Sequence, residues 1–122
     1  MKILKRIGII DIGSNSIRLV VFDGPKRSPL YLYNEKVFFR LGLQSFGKKA
    51  FDNATLKAVS RIINRYVAIC RNMEINQIIM FGTSALREAS NSDVLVEVIR
   101  KKTNIGVDVI SGEKEAFYAA QG

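Results

Sequence analysis

A single α/β domain on a mixed five-stranded sheet is the fold class that this sequence of 122 residues predicts. Two observations carry that expectation. Before residue 41, three runs rich in Ile, Val, Leu, Phe and Tyr follow one another with only short turn segments between them, the pattern of an antiparallel meander. After residue 51 the period changes. Stretches with apolar residues at helical spacing alternate with short apolar runs, and a strand–helix–strand crossover places its two strands parallel. The predicted order is β-β-β-α-β-α-β-α.

The first strand is the run Ile7-Gly8-Ile9-Ile10, so uniformly apolar that both of its faces are expected to be covered. Asp11-Ile12-Gly13-Ser14-Asn15-Ser16 follows as a polar turn. Ile17, Leu19 and Val21 then alternate with Arg18, Val20 and Phe22 in a second strand. Gly24-Pro25 and Ser28-Pro29 bracket a turn, and residues 30–40 read as a third strand. Residues 40–50 contain Gly42 and Gly47 and show no clear period, so they read as a loop. Asp52 is placed to cap a helix whose apolar positions are Leu56, Val59, Ile63, Tyr66, Val67 and Cys70. Lys57, Arg61, Asn64, Arg65 and Arg71 fall largely on its other side. Ile78-Ile79-Met80-Phe81 is the fourth strand. Asn91 or Ser92 caps a second helix that turns Leu95, Val98 and Ile99 inward, and Asn104 and Gly106 end it. Residues 107–110 form the fifth strand, and Ser111 caps a last helix still running at Gly122. A mixed sheet in this order, with helices packed on it, is the layout of a ribonuclease H-like domain.

Composition narrows the function classes. Apolar residues make up 48% of the chain, with no low-complexity tract and no internal repeat, so a packed core is expected. The longest apolar runs are four residues, as at 19–22, so neither a signal peptide nor a membrane span is expected, and the cytoplasm is the expected compartment. Cys70 is the only cysteine and there is no histidine, which excludes an internal disulfide and a Cys–His zinc site. Nineteen Lys and Arg against eleven Asp and Glu give a net charge of +8, which suits a polyanionic partner. The cations are dispersed. Lys26-Arg27, Lys48-Lys49 and Arg100-Lys101-Lys102 are the clusters, no aromatics alternate with them, and each reads as a solvated face.

In such a sheet, ligands gather at the carboxyl ends of the parallel strands. Three stretches reach that edge: Asp11 to Ser16, Gly82 to Asn91, and Ser111-Gly112-Glu113-Lys114-Glu115. Gly13 permits backbone angles closed to other residues, and Ser14, Asn15 and Ser16 supply hydroxyl, amide and N–H donors. Those donors suit a phosphate, and the Asp11 carboxylate suits a hydrated cation. Local composition alone favours a plain hairpin there, because Gly, Ser and Asn are common turn residues. Arg87 offers a planar fork for phosphate oxygens, or an ion pair with Glu88 or Asp93. Glu115, in the first turn of the last helix, could accept a proton from water or simply complement the helix dipole. Ser111 reads as a cap, since no base is available to activate it as a nucleophile.

Three motifs carry a resemblance. The run Asp11-Ile12-Gly13-Ser14-Asn15-Ser16-Ile17-Arg18-Leu19-Val20 resembles the first phosphate loop of the exopolyphosphatase and guanosine pentaphosphate phosphatase family. Gly82-Thr83-Ser84-Ala85-Leu86-Arg87-Glu88-Ala89-Ser90-Asn91 resembles its second signature, and Ile110-Ser111-Gly112-Glu113-Lys114-Glu115-Ala116 its third. Arg40-Leu41-Gly42 matches a weaker element. The resemblance implies an actin-like, sugar-kinase-like superfamily fold of two ribonuclease H-like domains facing a cleft, of which residues 1–122 correspond to the first. A second, glycine-rich phosphate loop is then expected beyond residue 122. It also implies magnesium-dependent hydrolysis of terminal phosphate from inorganic polyphosphate or guanosine pentaphosphate, and is compatible with a homodimer of the full-length protein. By the same resemblance Asp11 positions the metal, while Gly13, Ser14, Asn15 and Ser16 bind phosphate. Arg87 holds the substrate, and Glu115 is the general base. Lys114 departs from the acidic or polar residue usual there, and the 43–51 loop departs from the family pattern. Rival readings are a sugar kinase or actin-like ATPase domain, and a non-catalytic nucleic-acid-binding module. The first has no reason to carry the second and third signatures together, and a nuclease of this layout normally needs several clustered carboxylates.

Overall fold

The computed structural model describes residues 6–23, 30–41, 50–75 and 77–113. Strands β1 (Arg6–Ile12), β2 (Ser16–Asp23) and β3 (Leu30–Phe38) come first, followed by helix α1 (Asn53–Asn72) and strand β4 (Gln77–Gly82). A five-residue helix, α2 (Ser84–Glu88), precedes α3 (Ser92–Thr103) and the short strand β5 (Val107–Val109). The expected turn at 24–29, most of the expected loop at 40–50 and the body of the last helix, with Lys114 and Glu115, lie outside the described residues.

The sheet order is β3-β2-β1-β4-β5. β1–β2 and β2–β3 pair antiparallel, whereas β1–β4 and β4–β5 pair parallel, as the crossover argument requires. Two boundaries move. Strand β1 runs two residues further than its apolar pattern suggests, so Asp11 lies inside the ladder, opposite Arg18 on one side and Phe81 on the other. The turn between β1 and β2 shrinks to residues 13–15.

Alternation decides which side of the sheet carries the core. Ile10, Ile12, Ile17, Leu19, Val21 and Met80 are buried on one face, where they meet Val59, Ile63, Tyr66, Val67 and Cys70 of α1 and Leu95 and Ile99 of α3. Each such aliphatic side chain contributes about 1.5–3 kcal/mol on burial. The opposite face of β1, with Ile7, Ile9 and Asp11, is only half-buried among the described residues, so the expected two-sided cover of that strand is complete on one side. Close approach sets one residue choice. A Cβ on Gly8 would stand 2.7 Å from the Cys70 sulfur, so only glycine lets α1 settle this near β1. Burial pushes the Cys70 thiol pKa up, consistent with an inert packing residue.

The two long helices run side by side and are pinned at both ends. The Asp52 carboxylate accepts the Thr55 N–H at 2.8 Å and caps α1 as its sequence suggests. Asn91 occupies the N-cap position of α3 but does not cap it. Its amide instead clamps the backbone of Phe51, accepting from the Phe51 N–H at 2.8 Å and donating to the Phe51 carbonyl at 2.9 Å. At the other end Arg71 donates to the Thr103 carbonyl at 2.8 Å. Asn104, at φ 62°, closes α3 in the left-handed region that asparagine tolerates.

Candidate active site

The parallel strands β1, β4 and β5 end level with one another, since Ile12 is in register with Gly82 and Gly82 with Val109. Each strand releases its following segment at the same edge. Residues 13–16, 83–88 and 110–113 are therefore neighbours, although they are far apart in the chain. Backbone bonds carry the strand pairing into these segments. The Thr83 N–H donates to the Ile12 carbonyl at 3.2 Å, and the Ile110 N–H to the Gly82 carbonyl at 3.0 Å.

The first loop folds on itself through the Gly13 N–H, which donates to the Ser16 carbonyl at 2.9 Å. A Cβ on Gly13 would lie 3.2 Å from that same carbonyl oxygen, so the tight turn favours glycine. Ser14 then reaches the second segment, its Oγ 2.5 Å from Oγ of Ser84. Asn15 is exposed, and its carbonyl accepts from the Phe39 N–H at 3.0 Å, which ties the loop to the end of β3. Ser16 begins β2 and is half-buried. From α1, the Tyr66 hydroxyl donates to the Ile17 carbonyl at 2.7 Å and fixes the strand directly after the loop. Burial pushes the Tyr66 pKa up to about 12.

Arg87 sits in α2, exposed, with Nη1 donating to the Ile110 carbonyl at 2.8 Å. A Cβ on Gly112 would come within 4.0 Å of its Nη2, so the guanidinium spans the second and third segments. This contact ties Arg87 to the strand beside it rather than only to solvent. Asp11 lies on the sheet face away from the helices, with Oδ1 shielded from solvent. It lines a cavity of about 330 Å³ together with Ile9, Arg18, Val20, Phe22, Asn34 and Phe81. Glu113 lies in the helical turn that begins at Gly112 and is exposed. Glu115 lies outside the described residues.

The fold thus brings Gly13, Ser14, Asn15, Ser16 and Arg87 to one edge and sets Asp11 just behind the loop. Ser84, which sequence reasoning gave no role, joins the group through Ser14. Its signal was legible as a hydroxyl residue two places after a strand-ending glycine. Among the described residues no three Asp, Glu, His or Cys side chains are grouped as a metal cage. The set present is one carboxylate with hydroxyl oxygens nearby in the chain. That suits a hard cation such as magnesium, which keeps waters and shares its coordination with substrate phosphates. No helix among the described residues is long and apolar enough to cross a membrane.

A mixed sheet of this order, with three loop segments gathered at its carboxyl edge, defines an α/β domain of the actin-like ATPase, ribonuclease H-like class. The chain belongs to the Ppx/GppA phosphatase family, whose model matches residues 20–122. It is 32% identical over 114 residues to Exopolyphosphatase 1 of Mycobacterium leprae, covering 91% of this chain and 33% of that protein. It is 26% identical over 113 residues to the guanosine-5'-triphosphate,3'-diphosphate pyrophosphatase of Aliivibrio fischeri, covering 93% of this chain and 23% of that protein. The crystal structure of an exopolyphosphatase from Cytophaga hutchinsonii is similar at a TM-score of 0.87 and 34% identity, over 93% of this chain and 36% of that one. The chain thus spans a third or less of the curated relatives named here.

Proposed function

We propose that this chain is the first domain of a magnesium-dependent phosphohydrolase that removes terminal phosphate from inorganic polyphosphate, guanosine pentaphosphate or both, in the cytoplasm. The observation that carries this reading is the meeting of residues 13–16 with Ser84, Arg87 and residues 110–112 at one sheet edge. Both named relatives act on phosphoanhydrides by their names, which supports the same substrate chemistry here.

In this reading the loop N–H groups and the side chains of Ser14, Asn15 and Ser16 cradle a phosphate, with Gly13 keeping the backbone close. Arg87 neutralises and orients the adjoining phosphates. Asp11 holds a hydrated magnesium ion, which when bound offsets charge on the phosphate oxygens. Glu115 takes a proton from water as the water oxygen bonds to the terminal phosphorus. The bridging P–O bond breaks, and the shortened chain leaves with its electron pair. A phosphoryl group in transit needs positioning and charge neutralisation more than covalent help, which suits loops facing one another across a cleft. A second domain of the same protein supplies the facing loop, so this chain alone has negligible turnover.

The test is phosphate release from polyphosphate and from guanosine pentaphosphate by the full-length protein and its variants. Glu115→Gln lowers turnover by about 10²–10⁴ while substrate binding persists, the usual share of a general base. Near-normal turnover in that variant removes Glu115 from the chemistry. Robust release by residues 1–122 alone overturns the two-domain reading.

A further inference from the structure

A second feature suited to phosphate lies at the opposite end of the sheet. Helices α1 and α3 leave between their last turns a groove of about 320 Å³. Its apolar lining is the buried Val67 and the exposed Ala68. The donors Asn64, Arg71, Asn72 and Lys102 line it too, beside Thr103, whose hydroxyl donates to the Ile99 carbonyl. No carboxylate lines it, and Glu74, just past the end of α1, stays outside. A smaller hollow of about 250 Å³ shares Arg71 and Thr103 with it and is otherwise lined by Asn104 and the apolar Ile75, Ile78 and Ile105.

A cation in the last turn of each helix complements the helix dipole, which accounts for Arg71 and Lys102 individually. It does not account for two amides and two cations facing one channel without an acid among them. Asn64 and Arg71 lie seven residues apart on α1, hence on one stripe. Lys102 faces that stripe from α3, held in place by the Arg71–Thr103 bond. The donors are thereby spaced along a channel rather than gathered on a point, which fits a chain of anions better than a single one. No aromatic side chain lines the groove, so it lacks the stacking platform of a single-stranded nucleic-acid site.

We infer that this groove between α1 and α3 binds an extended inorganic phosphate chain, as an anchor separate from the loops at the carboxyl edge. The inference rests on polyphosphate being a substrate of the protein. Strand β4 begins shortly after α1 ends and finishes at the loop edge six residues later, so the two sites stand about 20 Å apart. Only long chains engage both, and engagement at two points raises apparent affinity without a new contact at the reacting end.

The test uses the ¹⁵N-labelled chain of 122 residues, titrated with long-chain polyphosphate and separately with tripolyphosphate. Amide shifts are expected in two groups, one at residues 13–16 and 83–87 and one at residues 64–72, 102 and 103. Tripolyphosphate moves both groups but more weakly than the long chain. The exposed Lys102→Glu change combined with Asn64→Asp weakens the groove response on the order of tenfold, lowers its salt slope and leaves the loop response in place. Loop shifts without groove shifts overturn the anchor and leave the substrate reading standing. Groove shifts without loop shifts support the anchor but count against the loop assignment. No shifts at either place overturn both. Single-stranded RNA moving the groove resonances as strongly as polyphosphate at equal salt overturns the assignment to inorganic phosphate.

Discussion

Glycines at close approaches define the packing more sharply than any apolar residue does. Gly8 faces the Cys70 sulfur so closely that an added methyl would stand 2.7 Å from it. Gly8→Ala gains about 0.5–1 kcal/mol of backbone entropy, but overpacking costs about 1–3 kcal/mol and wins. Urea denaturation therefore shows a net loss for Gly8→Ala. Much of that loss returns when Cys70→Ala is added, because the two changes share one contact. Equal losses in the single and double variants would show that the clash lies elsewhere. Gly82 is tighter still, with the Leu86 side chain 1.9 Å from its added Cβ, so the strand-ending glycine lets α2 fold back over β4. That fold-back is what brings Ser84 to Ser14 and Arg87 to Ile110.

Among the elements, the register between α1 and α3 depends on polar clamps as much as on the apolar stripe. Asn91 satisfies both backbone groups of Phe51, a residue only 4% exposed. Asn91→Ala leaves that buried N–H and carbonyl without the clamp and costs about 1–3 kcal/mol. Asp52→Ala, removing an ordinary cap, costs about 0.5–2 kcal/mol. Their denaturation midpoints should rank in that order, and a smaller loss for Asn91→Ala than for Asp52→Ala would refute the clamp. The sequence pointed to Asn91 or Ser92 as a cap because such residues before a helical period usually are; the Ser92 hydroxyl instead donates back to the Ala89 carbonyl at 2.9 Å. The true partner of Asn91 lies 40 residues away, and no local pattern reports it.

For the molecule as a whole, Tyr66 links the helical layer to the strand directly after residues 13–15 and makes stability sensitive to alkali. Burial raises its pKa first, with the Glu35 charge second, to about 12 from 10.0. The folded state therefore holds this proton more tightly than the unfolded chain. That stabilisation is full below pH 10 and drains away as pH rises toward 12. Thermal unfolding should fall more steeply above pH 10 in the wild type than in Tyr66→Phe, and parallel curves would exclude the coupling. A smaller, acid-side effect has the opposite sign. Arg65 first, then Tyr33, hold the Glu35 carboxyl below its usual range. The support from that exposed pair is present above the ordinary carboxylate range and fades as pH falls through the lowered value.

Periodicity alone determined the order of the five strands and two long helices and, Val98 apart, the inward faces of those helices, because burial imposes periods of 2 and 3.6 on any sequence that folds this way; the short helix α2 was not legible. The sequence likewise showed that Gly13, Ser14, Asn15, Ser16 and Arg87 follow strands whose ends share one edge. Where β1 ended was not legible, because Asp11 breaks the apolar run while its backbone continues the ladder with Arg18 and Phe81. Nor was the meeting of Ser14 with Ser84, 70 residues apart, or of Arg87 with Ile110. Those contacts depend on parallel strands ending in register and on a glycine that admits Leu86, and both are properties of packing between distant segments. Sequence order specifies which groups stand at the strand ends; only the tertiary structure decides that they meet.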